Sequence, residues 1–136
     1  MHSPIKAPTG CPKKNWPQGW YLGIKAGHNG WSHGHNDAGS AIVFYNEQPV
    51  LIDVGREAYR KQSFGKDRYA NWIMQSAYHN LPLINGQQQQ DGKAFGTSQT
   101  SFLQQRGLTR LRTNLAGAYP PAAGVQRWLR SYSLHA

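Results

Sequence analysis

The sequence predicts an all-β fold, an antiparallel β-sandwich, and three observations carry that prediction. Residues 40–45 and 50–54 are short, almost continuously apolar runs joined by Asn46-Glu47-Gln48-Pro49, the pattern of a β-hairpin. Residues 108–113 alternate, so that one face of the strand is apolar and the other, with Arg110 and Arg112, basic. Residues 125–134 alternate less regularly and read as another strand, so close to the last residue that the sheet is expected to continue.

Residues 1–18 are rich in Pro, Lys and Gly and read as an arm or linker; residues 19–136 read as the sandwich domain, truncated. Trp20-Tyr21-Leu22-Gly23-Ile24-Lys25 has strand character. Residues 27–39 hold too many glycines and amides for a regular helix or strand and are expected to form a loop. Both hairpin strands are apolar nearly throughout, so they are expected to lie between two layers, with Asp53 inside the second. Residues 56–75 mix aromatics and charges and suggest a long loop with a short helical turn. Residues 81–84 read as a strand entering a tight turn at Asn85-Gly86. The run Gln87-Gln88-Gln89-Gln90 is too short to carry weight as a low-complexity tract, and there is no internal repeat.

A length of 136 residues fits one domain, and 38% apolar residues with five Trp can build a core. No apolar run approaches the length of a membrane span, so a membrane partner is not expected. The first residues lack the apolar stretch of a secretory signal. One cysteine, Cys11, excludes an internal disulfide framework and reads as a free thiol on the arm. The net charge is +9, and no acidic residue comes after Asp91, whereas Lys93, Arg106, Arg110, Arg112, Arg127 and Arg130 do. Such a balance implies anionic partners. Nucleic acid is the weaker choice, because no helix-turn-helix, zinc-finger or RNP pattern is present.

The residues suited to chemistry concentrate in the glycine-rich loop, at the end of the hairpin and near residue 79. His28, His33 and His35 lie among glycines and amides, Asp53 lies in an apolar run, and His79 lies between Tyr78 and Asn80. Imidazoles close to carboxylates build metal sites and proton-transfer sites. A carboxylate in an apolar strand needs a partner, and a metal, an arginine or backbone N–H groups would each serve. His28 reads as a surface residue. Asn36 and Asp37 are expected to shape the loop by bonding backbone N–H groups. Tyr45, Tyr59, Tyr69 and Tyr78 are expected as core or cleft-wall phenols.

Four pieces, taken in order, resemble the heparinase II/III family of polysaccharide lyases. They are His33-Gly34-His35-Asn36-Asp37-Ala38-Gly39-Ser40, then Leu51-Ile52-Asp53-Val54-Gly55, then Tyr78-His79-Asn80 with Asn85-Gly86 after it, and finally residues 118–128. The resemblance runs from about Trp20 to the end. It implies the sandwich portion of a larger super-sandwich domain, preceded in the full-length protein by a helical toroid domain. It implies His35, Asp53 and His79 as ligands of a structural metal, zinc or another divalent ion. It implies His33 as a catalytic residue facing the substrate cleft, with the base generally a tyrosine that this family keeps on the helical domain. The implied reaction is β-elimination on an acidic, uronic-acid-containing polysaccharide, and the implied location is periplasmic or secreted. Arg110 and Arg112 are candidates for attracting the polyanion through charge. The alternative from another class is a non-catalytic, metal-stabilised module that binds acidic glycans.

Overall fold

The computed structural model describes residues 18–55 and 66–135. The arm with Cys11, and Tyr59 in the loop after the hairpin, lie outside the described residues. Eight strands are present among the described residues: β1 (Trp20–Ile24), β2 (His28–Asn29), β3 (Ala41–Tyr45), β4 (Gln48–Leu51), β5 (Gly92–Gly96), β6 (Ser98–Gln105), β7 (Leu108–Asn114) and β8 (Leu129–His135). The only helical segments among the described residues are short 3₁₀ turns. Two three-stranded sheets, ordered β1-β3-β4 and β6-β7-β8, form the sandwich, and β2 with β5 forms a small ribbon. Each of these strand pairs is antiparallel.

The hairpin forms as expected but turns two residues earlier in its second strand. Tyr45 pairs with Gln48, leaving Asn46 and Glu47 as a two-residue loop. Both have positive φ, 46° and 68°, which the twist-matched hairpin turn demands. Asn46 Oδ1 also accepts from the Gly19 N–H at 2.7 Å, locking the turn to the start of β1. Cross-strand ring pairs, Trp20 with Tyr45 and Tyr21 with Phe44, add to the β1–β3 register.

Three expectations are corrected. The hairpin is not sandwiched throughout: β4 is an edge strand, and Val50 and Ile52 are each 59% exposed. β4 ends at Leu51, so Asp53 lies just beyond the strand rather than inside it. Residues 81–84 make only one isolated bridge, Ile84 to Gln87, around the tight turn at Asn85-Gly86. Residues 108–113 do form a strand, and residues 125–134 contribute the strand β8 from Leu129 onward.

The sheets meet through Trp20, Leu22 and Ile24 on one side and Phe102, Leu111, Tyr132 and Leu134 on the other, around a gap of about 240 Å³. A second, tighter core lies beneath the glycine-rich loop, where Ala38, Ala118, Tyr119 and Ala123 are buried against Ile84 and Val125. Gly39 closes this region. Its φ is +90°, and a Cβ there would come within 2.5 Å of the Leu115 side chain, so only glycine fits.

Candidate functional site

Short turns deliver the site residues to one end of the first sheet. The 3₁₀ turn Trp72–Met74 starts at Asn71, whose side chain accepts from the Ile73 N–H. The next turn, Ser76–Tyr78, ends on His79. His79 is completely buried. Asn80 comes next with φ of 55°, a left-handed conformation that asparagine tolerates. Its amide donates to the carbonyls of Ala41 (3.1 Å) and Ile52 (3.0 Å). That staple draws the segment after β4 against β3 and so brings Asp53 to His79.

The pairing of His79 is specific at both ring nitrogens. Nε2 lies 2.7 Å from the Ile73 carbonyl oxygen. A carbonyl only accepts, so Nε2 carries a proton and donates. Nδ1 faces the Asp53 carboxylate at 2.8 Å and 3.0 Å. Asp53 also accepts from Ser40 Oγ at 3.1 Å and from the Gly55 N–H at 3.2 Å. The His35 ring lies 4.9 Å from the His79 ring, centroid to centroid, tilted by 39°.

The charges agree with this geometry. Burial acts to raise the Asp53 carboxyl, but the hydrogen bond and charge of His79, helped by Gly55 and Ser40, outweigh it and hold Asp53 below the usual carboxylate range. Burial acts to lower His79, but the hydrogen bond and charge of Asp53 outweigh that and raise it. His35 is lowered by burial first and by the neighbouring His79 second. With a carbonyl at Nε2 and a carboxylate at Nδ1, the surroundings of His79 favour its protonated form, and binding a metal would require Nδ1 to give up its proton.

The chemistry of this donor set fits a divalent metal. Two imidazoles and a carboxylate are ligands that zinc accepts. A ligating histidine usually donates its other N–H to a carbonyl or carboxylate, which fixes the tautomer. Ile73 does this for Nε2 of His79, leaving Nδ1 as the atom aimed at Asp53. Among the described residues no three His, Cys, Asp or Glu side chains stand ready-spaced around an ion. The direct His79–Asp53 hydrogen bond closes the space between those two donors.

The loop that carries His35 is held by residues that carry no signal of this role in the sequence. Gln89, 4% exposed, is its keystone. Its side chain donates to the Ala38 carbonyl at 2.7 Å and accepts from the Ala38 N–H and Asn29 Nδ2, both at 3.1 Å. Its own N–H donates to Ser76 Oγ at 2.8 Å, tying the loop to the turn before His79. The Gly39 carbonyl accepts from Arg130 at 3.3 Å and from the Tyr132 hydroxyl, which anchors the loop to β8. Asp37 and Asn36 both depart from expectation: the Asp37 side chain pairs with Lys25, and the Asn36 amide donates to the Gln89 carbonyl at 3.5 Å while its Oδ1 accepts from no backbone N–H among the described residues. Lys25, Asp37, Ser40 and Asp53, with Tyr21 and Gly23, line an open cleft of about 280 Å³.

The remaining predicted residues lie apart from this pair. His33 is exposed on the turn at residues 32–33. Arg110 and Arg112 are exposed on β7, on the face opposite Leu111 and Thr113, and Arg110 donates to Ser133 Oγ at 3.1 Å. His28 stacks on Trp31 with ring centroids 4.6 Å apart. Tyr45 packs on Trp20, and Tyr78 meets Trp72 edge-on. Tyr69 donates to the Asn29 carbonyl at 3.4 Å, and burial raises it, away from what a base requires.

The chain belongs to the family described as heparinase II/III-like, C-terminal, whose model matches residues 16–131. No curated protein matches it. The matched span contains every site residue described above. No helix among the described residues is long and apolar enough to cross a membrane.

Proposed function

We propose that this chain is the sandwich domain of a lyase that cleaves acidic, uronic-acid-containing polysaccharide by β-elimination, working with a helical domain upstream. Family membership supports the polysaccharide-lyase class. One observation carries the site: the buried His79, its Nε2 fixed by the Ile73 carbonyl, turns Nδ1 onto Asp53 beside the His35 ring. His35, Asp53 and His79 would hold a structural zinc or another divalent ion. When bound, that ion supplies a fixed positive charge that ties the glycine-rich loop to the segment after β4 and to the turn before His79.

The chain's own residues orient the loop and offer a proton-transfer group. Anchoring His35 anchors the turn two residues earlier, which presents His33 to solvent. In β-elimination the C6 carboxylate must be neutralised, the C5 proton removed and the C4 oxygen protonated as it leaves. Histidine suits a share of that work because its ordinary pKa lies near neutrality. We assign His33 to carboxylate neutralisation or proton transfer, and assign the C5 base to the helical domain. The exposed Arg110 and Arg112 belong to a basic surface that draws in a polyanion over distance. Such polymers are met in the periplasm or outside the cell, and the protein is assigned there.

The test pairs metal content with product. Elemental mass spectrometry is expected to find about one metal ion per wild-type chain, lost in His35→Ala, Asp53→Ala and His79→Ala. Incubation with heparin, chondroitin sulfate and alginate, the upstream domain supplied, is expected to release an ultraviolet-absorbing unsaturated uronate that His33→Ala abolishes. Metal without product from any polymer would leave a non-catalytic glycan-binding module. A metal-free wild type would remove the metal-site assignment.

A further inference from the structure

Arg68 is not accounted for by the pair of His79 and Asp53, yet it is committed to the loop. It lies in the 3₁₀ turn Lys66–Ala70. Its Nη1 donates to the Ser32 carbonyl at 2.6 Å, and its Nη2 donates to the Gly34 carbonyl at 2.5 Å. These are the carbonyls on either side of His33. The guanidinium is planar and its N–H groups diverge at fixed angles, so two bonds to two carbonyls fix their spacing and orientation together. The Gly34 N–H closes the same turn onto the Trp31 carbonyl at 3.0 Å. The fork is itself held, with the guanidinium carbon 4.8 Å from the centre of the Tyr69 ring and the Tyr69 hydroxyl bonded to the Asn29 carbonyl.

Arg68 Nε is buried and finds no hydrogen-bond partner among the described residues. An unsatisfied buried donor is costly. A side chain serving stability alone would be better placed with all its donors in water. The observed arrangement gives up one donor to set two carbonyls, and the residue between those carbonyls is the exposed imidazole. We infer that Arg68 is a positioning residue: its guanidinium clamps the turn that presents His33, and so sets where that imidazole stands relative to substrate. This inference rests on His33 being the side chain the site offers to its substrate.

Two variants and two readouts test it. Arg68→Gln keeps a polar stem without the fork, and Arg68→Lys keeps the charge while offering no fixed pair of donors. Backbone ¹⁵N relaxation of the intact chain is expected to show rigid amides at Ser32, His33 and Gly34, with order parameters of about 0.85 in the wild type and below about 0.6 in Arg68→Gln. Arg68→Lys is expected to fall between, with the amides of β3 and β7 unchanged in both. Cleavage of heparin, chondroitin sulfate or alginate, with the upstream domain supplied, is expected to lose on the order of 10²-fold in kcat with little change in KM. Methylguanidine added to Arg68→Gln is expected to recover part of both losses. If Arg68→Gln does not fold, Arg68→Lys carries the same comparison. Unchanged order at residues 32–34 in the folded variants, or a loosened turn with unchanged kcat, overturns the inference. A loosened turn in a chain whose wild type cleaves none of the three polymers supports the clamp and removes the lyase reading instead.

Discussion

The two ends of this molecule are stabilised by different means. Around the glycine-rich loop, buried polar groups meet partners at several points. Asn29, Ser76, His79 and Gln89 are all under 5% exposed and all hydrogen-bonded. Between the two sheets the contacts are apolar, but the closure is loose. Trp20 and Phe102 line the gap and are 55% and 53% exposed. Hydrogen bonds are directional, so the loop end is specified to one arrangement. Apolar contact is not directional, so the open end tolerates variation. His35, Asp53 and His79 lie at the specified end, and the proposed metal site would need such preorganisation.

The sharpest way to break that contrast is at Gln89. Gln89→Ala would leave the buried Ala38 carbonyl without its donor, leave the Ala38 N–H with Asn29 Oδ1 alone, and remove one of the two acceptors of Asn29 Nδ2. Unfolding in urea is expected to show a loss on the order of 3 kcal/mol, about 1–3 kcal/mol from the unsatisfied carbonyl and about 0.5–1.5 kcal/mol from each of the two other hydrogen bonds lost. Gln90→Ala, one residue on, alters an exposed side chain and is expected to change stability by no more than about 0.5 kcal/mol. Equal effects from the two would mean that the polar web does not hold the loop.

That web also marks where the sequence stopped being readable. The hairpin was legible because apolar runs around a turn have one economical solution, and the loop was legible because glycine and amides exclude regular structure. β6 was not legible. Its residues, Ser98-Gln99-Thr100-Ser101-Phe102-Leu103-Gln104-Gln105, show no apolar alternation because the strand is exposed at every position and holds mainly through its pairing with β7. Four consecutive glutamines look like filler, and only tertiary contact distinguishes Gln89 from Gln90. In the sequence only family resemblance groups His35, Asp53 and His79. Their spacing alone could not have grouped them, because Asn80 and Gln89 perform the folding-back that joins them. Arg68 and Lys25 carried no local signal, since an arginine that binds two carbonyls resembles any surface arginine in sequence.

The open end yields the next prediction. Phe102→Ala removes a large ring, and a fully buried phenylalanine would cost about 3–5 kcal/mol. Phe102 is already half in water, so roughly half of that or less is expected, about 1.5 kcal/mol. Under the proposed function, cleavage activity and metal content are expected to stay as in the wild type, because no hydrogen bond described for the loop passes through Phe102. A loss as large as that of Gln89→Ala would show that the gap between the sheets is closed in solution and that the contrast between the ends is smaller than it looks.

Tyr132 joins the two ends, and its response to base distinguishes them. Its ring lines the gap between the sheets, while its hydroxyl donates to the Gly39 carbonyl of the loop. Burial pushes the phenol up from 10.0 to about 12, and the nearby Arg130 offsets only part of that. The folded chain therefore holds the proton where the unfolded chain releases it. The contribution is complete below about pH 10, falls as pH rises through the unfolded value, and is exhausted near the folded one. Stability measured against pH is expected to decline between pH 10 and about 12, with tyrosinate absorbance rising in step with unfolding. Tyr132→Phe keeps the ring in the gap and removes both the hydrogen bond and the titration. It is expected to cost about 1 kcal/mol at neutral pH. The steepness of the alkaline decline should fall in that variant. If the loop, monitored through the Gly39 amide, exchanges faster in Tyr132→Phe while β1 and β7 do not, the hydroxyl serves the polar end and the ring the apolar one. If β7 loosens as well, the two ends are a single cooperative unit despite their different packing.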